Sequence, residues 1–234
     1  MKGLNLVAIE TSTKNGGVAL FVGGQLSQTC HFSAEMPASE TLIPSIKWML
    51  EQQKLMLSDI DKFAVSIGPG SFTGLRVGLT AAKMLAFLNK RPLVTLRTLD
   101  VLVAPIACSS RMIGGVLDAR KGEVYASLYQ GGDRLELIED IRVCTIEDFL
   151  KGKQDLFLIG DGIQRYRDRI DACNIQGLTF SPQNLWIPQP EWVGNLALEG
   201  NYPEYSQEKL FPLVPLYVRK SEAEIQWERR YGSV

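Results

Sequence analysis

A glycine-rich loop between a strand and a helix stands at the centre of this sequence, in the stretch Ser66-Ile67-Gly68-Pro69-Gly70-Ser71-Phe72-Thr73-Gly74-Leu75-Arg76-Val77-Gly78-Leu79. The apolar, β-branched run from Lys62 to Ile67 predicts a strand, and the pattern from Thr73 to Asn89 predicts a helix. The glycines allow a turn with positive φ, the proline stiffens it, and either Ser71 or Thr73 can cap the helix. We expect the loop to position the helix rather than to carry out chemistry, and its defining residues are Gly68, Pro69, Gly70, Ser71, Thr73 and Gly74.

The spacing within this loop excludes three nucleotide-binding or catalytic motifs. A dinucleotide site needs G-x-G-x-x-G, but the third glycine, Gly74, comes one position late. A P-loop needs a lysine that is missing here, and a nucleophile elbow needs glycines two positions either side of Ser71. A strand, a tight turn and a helix start still allow the close approach of an anion or of a partner's backbone.

The predicted helix is apolar nearly all round. Its polar residues form a thin stripe of Arg76, Thr80 and Lys83. A helix of this kind must be covered on most sides. It is therefore either a central core helix or a helix with one face against another chain.

Composition limits the classes of function. The chain has 234 residues, 45% of them hydrophobic, and a net charge of -1, which gives no global electrostatic case for nucleic-acid binding. We expect a cytoplasmic protein, because no apolar run is long enough to span a membrane and no signal peptide is recognisable. The single histidine, His31, excludes sites that need two histidines from this chain. The widely spaced cysteines predict free thiols at Cys30, Cys108, Cys144 and Cys173.

The order of predicted elements repeats within the chain. Each half has the order β-β-β-α-β-α, which predicts an α/β fold of two similar lobes, as in the actin, Hsp70 and sugar-kinase superfamily with its ribonuclease H-like lobes. We assign residues 1–98 to the first lobe, joined by the C-terminal segment 212–234, and residues 99–211 to the second lobe. The aromatic pair Trp227 and Tyr231 in the charged tail is expected to anchor on the first lobe.

Each half also begins with a strand that ends on an acidic residue. In that superfamily, the corresponding hairpins hold the metal and phosphates of ATP between the lobes. Here the second hairpin lacks the glycine and hydroxyl residues that cradle phosphate. We favour a vestigial nucleotide cleft; the alternative is a nucleotide-dependent transferase or ATPase that uses this cleft. The cleft residues are Glu10, Thr11, Ser12 and Asp118.

Four segments together resemble the bacterial TsaB family, also called YeaZ, over nearly the whole chain. They are the first strand and turn 7–12, the loop 68–78, the segment Leu117-Asp118-Ala119-Arg120-Lys121-Gly122-Glu123-Val124-Tyr125, and Pro215-Leu216-Tyr217-Val218-Arg219. The loop is shared in part with the larger paralogue TsaD, so the second-lobe segment and the short chain indicate TsaB.

The resemblance implies a noncatalytic subunit in the synthesis of threonylcarbamoyladenosine (t6A) in tRNA. TsaD is the transferase of that system, with paired histidines that bind its metal, and the ATPase TsaE joins the TsaB–TsaD pair. This chain has Ser39-Glu40-Thr41-Leu42-Ile43-Pro44 where TsaD has histidines. We expect no metal and no cofactor bound by this chain alone, with a nucleotide at the complex interface as an open option. The expected partners are TsaD, TsaE and a second copy of the chain, with tRNA reached only through the complex.

Pairing is expected to use the helix around Leu42 to Leu50 and the helix that follows the glycine loop, as a bundle with the same helices of TsaD or of a second copy. A charge at Ala82 should then abolish pairing and leave the fold intact. Two further interpretations, a peptidase and a direct tRNA binder, lack a catalytic constellation and a basic surface, respectively. The predicted contacts are Leu42, Ile46, Met49, Arg76, Leu79, Ala82, Lys83 and Ala86.

Overall fold

The computed structural model describes residues 3–33 and 35–219, together with Trp227 and Arg230, so Tyr231 lies outside the described residues. The strands are β1 Leu6–Glu10, β2 Gly17–Val22, β3 Gln25–His31, β4 Lys62–Ser66, β5 Leu93–Leu96, β6 Met112–Arg120, β7 Glu123–Gln130, β8 Glu136–Cys144, β9 Leu156–Ile159, β10 Thr179–Phe180 and β11 Glu204–Tyr205. The helices are α1 Ala38–Gln52, α2 Phe72–Leu88, α3 Thr98–Val103, α4 Ile146–Leu150, α5 Gly162–Arg165, α6 Arg167–Ala172 and α7 Pro190–Glu199.

The first lobe is built on a six-stranded sheet of order β11-β5-β4-β1-β2-β3. Strands β1, β4 and β5 are parallel, and β2 and β3 continue from β1 as an antiparallel meander. The five residues of β1 are fully buried because the sheet is covered on both faces. Helices α1 and α2 lie over one face, and α7 packs against the other.

The second lobe repeats this plan with a five-stranded sheet of order β10-β9-β6-β7-β8. Helices α4, α5 and α6 cover one face, and α3 covers the other. The segment 163–173, predicted as one helix, forms two short helices, because the backbone of Tyr166 leaves the helical conformation. The predicted two-lobe α/β fold and the duplicated β-β-β-α-β-α order are confirmed.

Helix α3 lies between the two sheets. Val101 packs into the core of the first lobe, whereas Leu99 and Leu102 pack into the core of the second. This helix therefore joins the lobes through apolar packing on two of its faces.

The predicted boundary of the second lobe at residue 211 does not match the structure. Helix α7 packs against β1 and β2, and β11 pairs with β5, so this part of the chain lies with the first sheet. The reason is packing: Val193 and Ala197 of α7 are fully or almost fully buried against the outer face of that sheet. No helix within the described ranges is long and apolar enough to cross a membrane.

Candidate functional site

The first acidic turn and the glycine loop meet at the end of β1. Glu10 is fully buried there, and its carboxyl group accepts hydrogen bonds from the Ser12 N–H at 2.6 Å and the Ser12 hydroxyl at 2.5 Å. The Ser66 hydroxyl donates to its second oxygen. Both oxygens of Glu10 are therefore engaged within the first lobe.

The next two residues are held just as closely. The Thr11 hydroxyl donates to the carbonyl oxygen of Gly74 at 2.8 Å, and a Cβ atom at Gly78 would lie 2.0 Å from that hydroxyl. The Ser71 N–H donates to the carbonyl oxygen of Ser12 at 2.6 Å. The glycine loop and the start of α2 therefore pack directly onto the first turn, and this contact requires the absence of a side chain at Gly78.

The glycine loop positions α2 as predicted. Of the two candidate capping residues, Ser71 is the N-cap, because its side chain accepts a hydrogen bond from the Gly74 N–H. Such a cap satisfies one of the free N–H groups at the helix start. The loop also includes a cis peptide bond between Gly68 and Pro69.

The second acidic turn is held within the second lobe. The carboxylate of Asp118 accepts hydrogen bonds from the Tyr166 hydroxyl at 2.7 Å and from the Arg120 N–H at 2.8 Å. The Asp118 N–H donates to the carboxylate of Asp161, whose pKa is raised by burial. Burial and the bond to Asp118 raise the pKa of Tyr166 to about 12, so the phenol stays protonated and remains a donor.

The four predicted cleft residues are thus engaged in two separate networks. Glu10, Thr11 and Ser12 are at most 1% exposed, and Asp118 bonds to residues of the second lobe. As folded, the first turn can stabilise the loop and α2, but it offers no exposed hydroxyl to a phosphate. Within the part of the chain that the structure describes, no group of three or more His, Cys, Asp or Glu side chains is placed to hold a metal.

The buried carboxyl group of Glu10 leads to a pH-dependent prediction. Burial raises its pKa above the ordinary value of 4.5, so the folded state binds this proton more tightly than the unfolded state. The free energy of unfolding should therefore fall as pH rises from 4.5 through the raised pKa. We expect Glu10→Gln, which mimics the protonated acid, to lack this part of the fall. Urea unfolding of both proteins across this range is the measurement, and parallel pH profiles would contradict it.

Six of the eight predicted interface residues are core residues, so that part of the prediction is wrong. They point from α1 and α2 onto the first sheet and share one apolar cluster with its strands. A side chain that the chain's own sheet covers cannot contact a partner. These residues, all at most 3% exposed, are Leu42, Ile46, Met49, Leu79, Ala82 and Ala86.

The other two predicted contacts, Arg76 and Lys83, bind the C-terminal part of the same chain. We call residues 207–219 the strap. The Lys83 ammonium donates to the carbonyl oxygens of Phe211 at 2.8 Å and Leu213 at 3.0 Å. The Arg76 guanidinium donates to the Tyr217 hydroxyl at 2.9 Å. The strap thus covers one side of α2.

Beside polar and charged residues, α1 and α2 also present large apolar side chains to solvent. We call Ile43, Trp48, Met84 and Leu88 the outer apolar face, and their exposed fractions are 52%, 51%, 47% and 67%. Periodicity alone missed these residues in α2, because that helix is apolar nearly all round. In α1 a signal existed, since Ile43 and Trp48 fall outside the stripe of Leu42, Ile46, Met49 and Leu50.

A cavity of about 310 Å³ lies beside the junction of the lobes. Its charged groups neutralise one another, since Arg97 binds both oxygens of Asp100 at 3.0 Å and also contacts Asp140 at 3.0 Å. Asp140 belongs to β8, so this ion pair connects the two lobes. No role for Arg97 or Asp140 was predicted from the sequence.

Comparison with known proteins agrees with the fold and the loop. Residues 33–184 match the family model described as "TsaD: tRNA N6-adenosine threonylcarbamoyltransferase". The chain is 29% identical to the tRNA threonylcarbamoyladenosine biosynthesis protein TsaB of Bacillus subtilis, covering 96% of this chain and 98% of that protein. It is 26% identical to the TsaB protein of Haemophilus influenzae, covering 99% of both.

Solved structures give the same result. The crystal structure of YeaZ from Pseudomonas aeruginosa superposes with a TM-score of 0.73 at 25% identity, covering 92% of this chain and 99% of that one. A second Pseudomonas aeruginosa structure, described as similar to peptidase YEAZ, gives 0.74 at 25% identity, with 92% and 100% covered. The family model, the sequence relatives and the YeaZ structures agree, and the chain belongs to the TsaB (YeaZ) family.

Proposed function

We propose that this chain is a noncatalytic subunit of the machinery that makes threonylcarbamoyladenosine in tRNA. In this proposal, it pairs with TsaD through the outer apolar face of α1 and α2. The observation that carries the proposal is the outer apolar face itself: in a chain of the TsaB family, α1 and the helix positioned by the glycine loop expose four large apolar side chains to solvent.

The chemistry of the outer apolar face supports a protein partner. Scattered apolar side chains are normal on a protein surface, but Ile43, Trp48, Met84 and Leu88 belong to two helices that contact each other on the same side of one sheet. Tryptophan is among the residues that contribute most to protein–protein affinity when a partner covers it. A helix from a partner would remove all four side chains from water.

The packing of the first turn supports a structural rather than a catalytic role for the glycine loop. Glu10, Thr11 and Ser12 use their side chains to hold Ser66 and the start of α2. The same contacts fix the direction in which α2 leaves the sheet. The residues that would face phosphates in a nucleotide-binding relative therefore serve here to present the helix.

The same face accounts for a homodimer as well as a heterodimer. Two copies of one apolar patch can form an isologous contact, in which each copy uses the same residues. A second copy and TsaD would then compete for α1 and α2. TsaE would join the TsaD complex, tRNA would be bound only through that complex, and the chain alone would bind no nucleotide; a nucleotide at the interface with TsaD is the alternative.

Reconstitution with purified TsaD and TsaE, tRNA, ATP and an activated threonylcarbamoyl donor tests this function. We expect formation of the modified nucleoside, measured by mass spectrometry of digested tRNA, to require this chain, and we expect none from the chain alone. Unchanged formation when the chain is left out would contradict the proposal. Tight ATP binding by the isolated chain, abolished in Asp118→Ala, would instead favour a nucleotide-dependent transferase or ATPase.

A further inference from the structure

The strap contacts the glycine loop of the first lobe directly. The Leu216 N–H donates to the carbonyl oxygen of Ile67 at 2.7 Å. Gly68 has φ of 126°, and a Cβ atom there would lie 2.6 Å from the carbonyl oxygen of Leu216. Only glycine allows this backbone conformation and this close approach together.

The next residue of the strap is held by the start of α2. The ring of Tyr217 stacks on Phe72 with 4.2 Å between the ring centroids. The Arg76 guanidinium lies 4.3 Å from the centroid of the Phe72 ring and donates to the Tyr217 hydroxyl. Two side chains from the first turns of α2 therefore fix one side chain of the strap.

Two residues further on, the strap reaches the second lobe. The Arg219 guanidinium donates to the carbonyl oxygen of Ala119 at 3.0 Å and forms an ion pair with Glu123. Both residues flank the turn between β6 and β7. That turn has two non-glycine residues with positive φ, Arg120 at 61° and Lys121 at 55°, a conformation that needs support from its surroundings.

We propose that residues 215–219 act as a latch that fixes the second lobe relative to helix α2. Three segments far apart in sequence meet in this latch: the glycine loop with the start of α2, the β6–β7 turn, and the C-terminal Pro215–Arg219 segment. The latch itself stands on contacts within this chain. Its consequence for a partner rests on the proposed function. If TsaD docks on α2, it contacts the helix to which the latch ties the second lobe.

Within the described part of the chain, the packed helix α3 and the Arg97–Asp140 ion pair also link the lobes. Loss of the latch should therefore loosen the lobes without separating them. Tyr217 and Arg219 have different partners, one on each lobe, so removal of either should have the same effect on lobe orientation. A purely local role for Arg219 would affect only the β6–β7 turn.

Double electron–electron resonance tests the latch by measuring the distance between two spin labels in the isolated full-length chain. Spin labels on a ketone-bearing amino acid at the exposed positions Gln52 in α1 and Lys151 after α4 avoid the native cysteines. The labelled chain is diluted with excess unlabelled chain, so that distances between two copies do not contribute, and we expect one narrow distance distribution in the otherwise native chain. In Arg219→Met and in Tyr217→Ala it should become about twofold wider. Methionine retains most of the packing of the arginine stem.

Arg111→Met is the matched control. Arg111 also makes two hydrogen bonds, to the Thr179 hydroxyl at 2.7 Å and to the carbonyl oxygen of Gly177 at 3.0 Å, but both partners lie in the second lobe. The distance distribution of Arg111→Met should be as narrow as that of the native chain. Equal widths for the native chain and both latch variants would overturn the proposal, and so would equal broadening in Arg111→Met.

Glu123→Gln provides a second variant, because it removes the charge that Arg219 pairs with and retains the size of the side chain. If Arg219→Met does not fold, as judged by circular dichroism, the width in Glu123→Gln decides the matter. The experiment uses no partner protein, so its failure would leave the proposed pairing with TsaD untouched. Conversely, if the native chain gives a narrow distance distribution but does not pair with TsaD, only the proposed function is contradicted.

Discussion

Ala82→Glu should unfold most of the protein. Ala82 is fully buried in the apolar cluster between α2 and the first sheet, which includes Phe63 and Val65. A glutamate there would bury an unpaired carboxylate and would also exceed the available space. Each effect costs several kcal/mol, and the whole stability of a domain is about 5–15 kcal/mol. We expect a loss of at least about 4 kcal/mol in the free energy of unfolding.

This expectation replaces the one made from the sequence, in which a charge at Ala82 removed pairing and preserved the fold. Thr80→Glu is the matched control, because it places the same charge on the same helix at an exposed position. Its free energy of unfolding should stay within about 0.5 kcal/mol of the native value. Urea unfolding followed by circular dichroism measures both, and a stably folded Ala82→Glu protein would contradict the assignment of this face to the core.

The double variant Ile43→Glu with Met84→Glu should abolish pairing without affecting the fold. Both side chains belong to the outer apolar face and are about half exposed in the free chain. A partner that covers them would have to bury two carboxylates without counter-charges. We expect the affinity for TsaD to fall at least about a hundredfold, which corresponds to about 2.7 kcal/mol. Titration calorimetry against purified TsaD gives this affinity.

Leu26→Glu is the control for this experiment. Leu26 is 48% exposed, nearly the same as the 47% of Met84, but it lies on β3 rather than on α1 or α2. It should pair with TsaD as the native chain does. Native affinity in the double variant, with a normal melting temperature, would show that the partner uses another surface.

The strands and helices could be predicted because apolar runs, turn residues and helix caps are signals within a few neighbouring residues. Strands β1 and β4 are short apolar runs, and the turns after them contain glycine. The Ser71 cap was one of two candidates in a loop whose spacing already required a helix start. The duplicated order of elements was then sufficient to predict two lobes.

The residues of the proposed interface were harder to predict from the sequence. Periodicity shows that a helix has an apolar stripe, but α2 has apolar residues on the sheet side and also, beside polar residues, on the solvent side. Burial separates the two sides: Leu79 is 3% exposed, whereas Leu88 is 67% exposed. No local pattern distinguishes these leucines, because the difference arises from the sheet beneath one and not the other.

Beyond the assignment of the C-terminal segment to the first lobe, long-range contacts were not predicted from the sequence. Helix α7 comes late in the chain, yet it covers the first sheet, and Arg219 contacts a turn 96 residues earlier at Glu123. Such contacts depend on the completed fold of both lobes. The sequence marked Pro215–Arg219 as a segment shared with a family, but it gave no physical reason for that segment.

The central claim is that this chain pairs with TsaD, and the mass of the complex in solution tests it most directly. Light scattering should be measured on the purified chain alone and after mixing with TsaD from the same organism. We predict a one-to-one complex with TsaD, formed at the expense of any homodimer. A mass for this chain that does not change when TsaD is added would contradict the account.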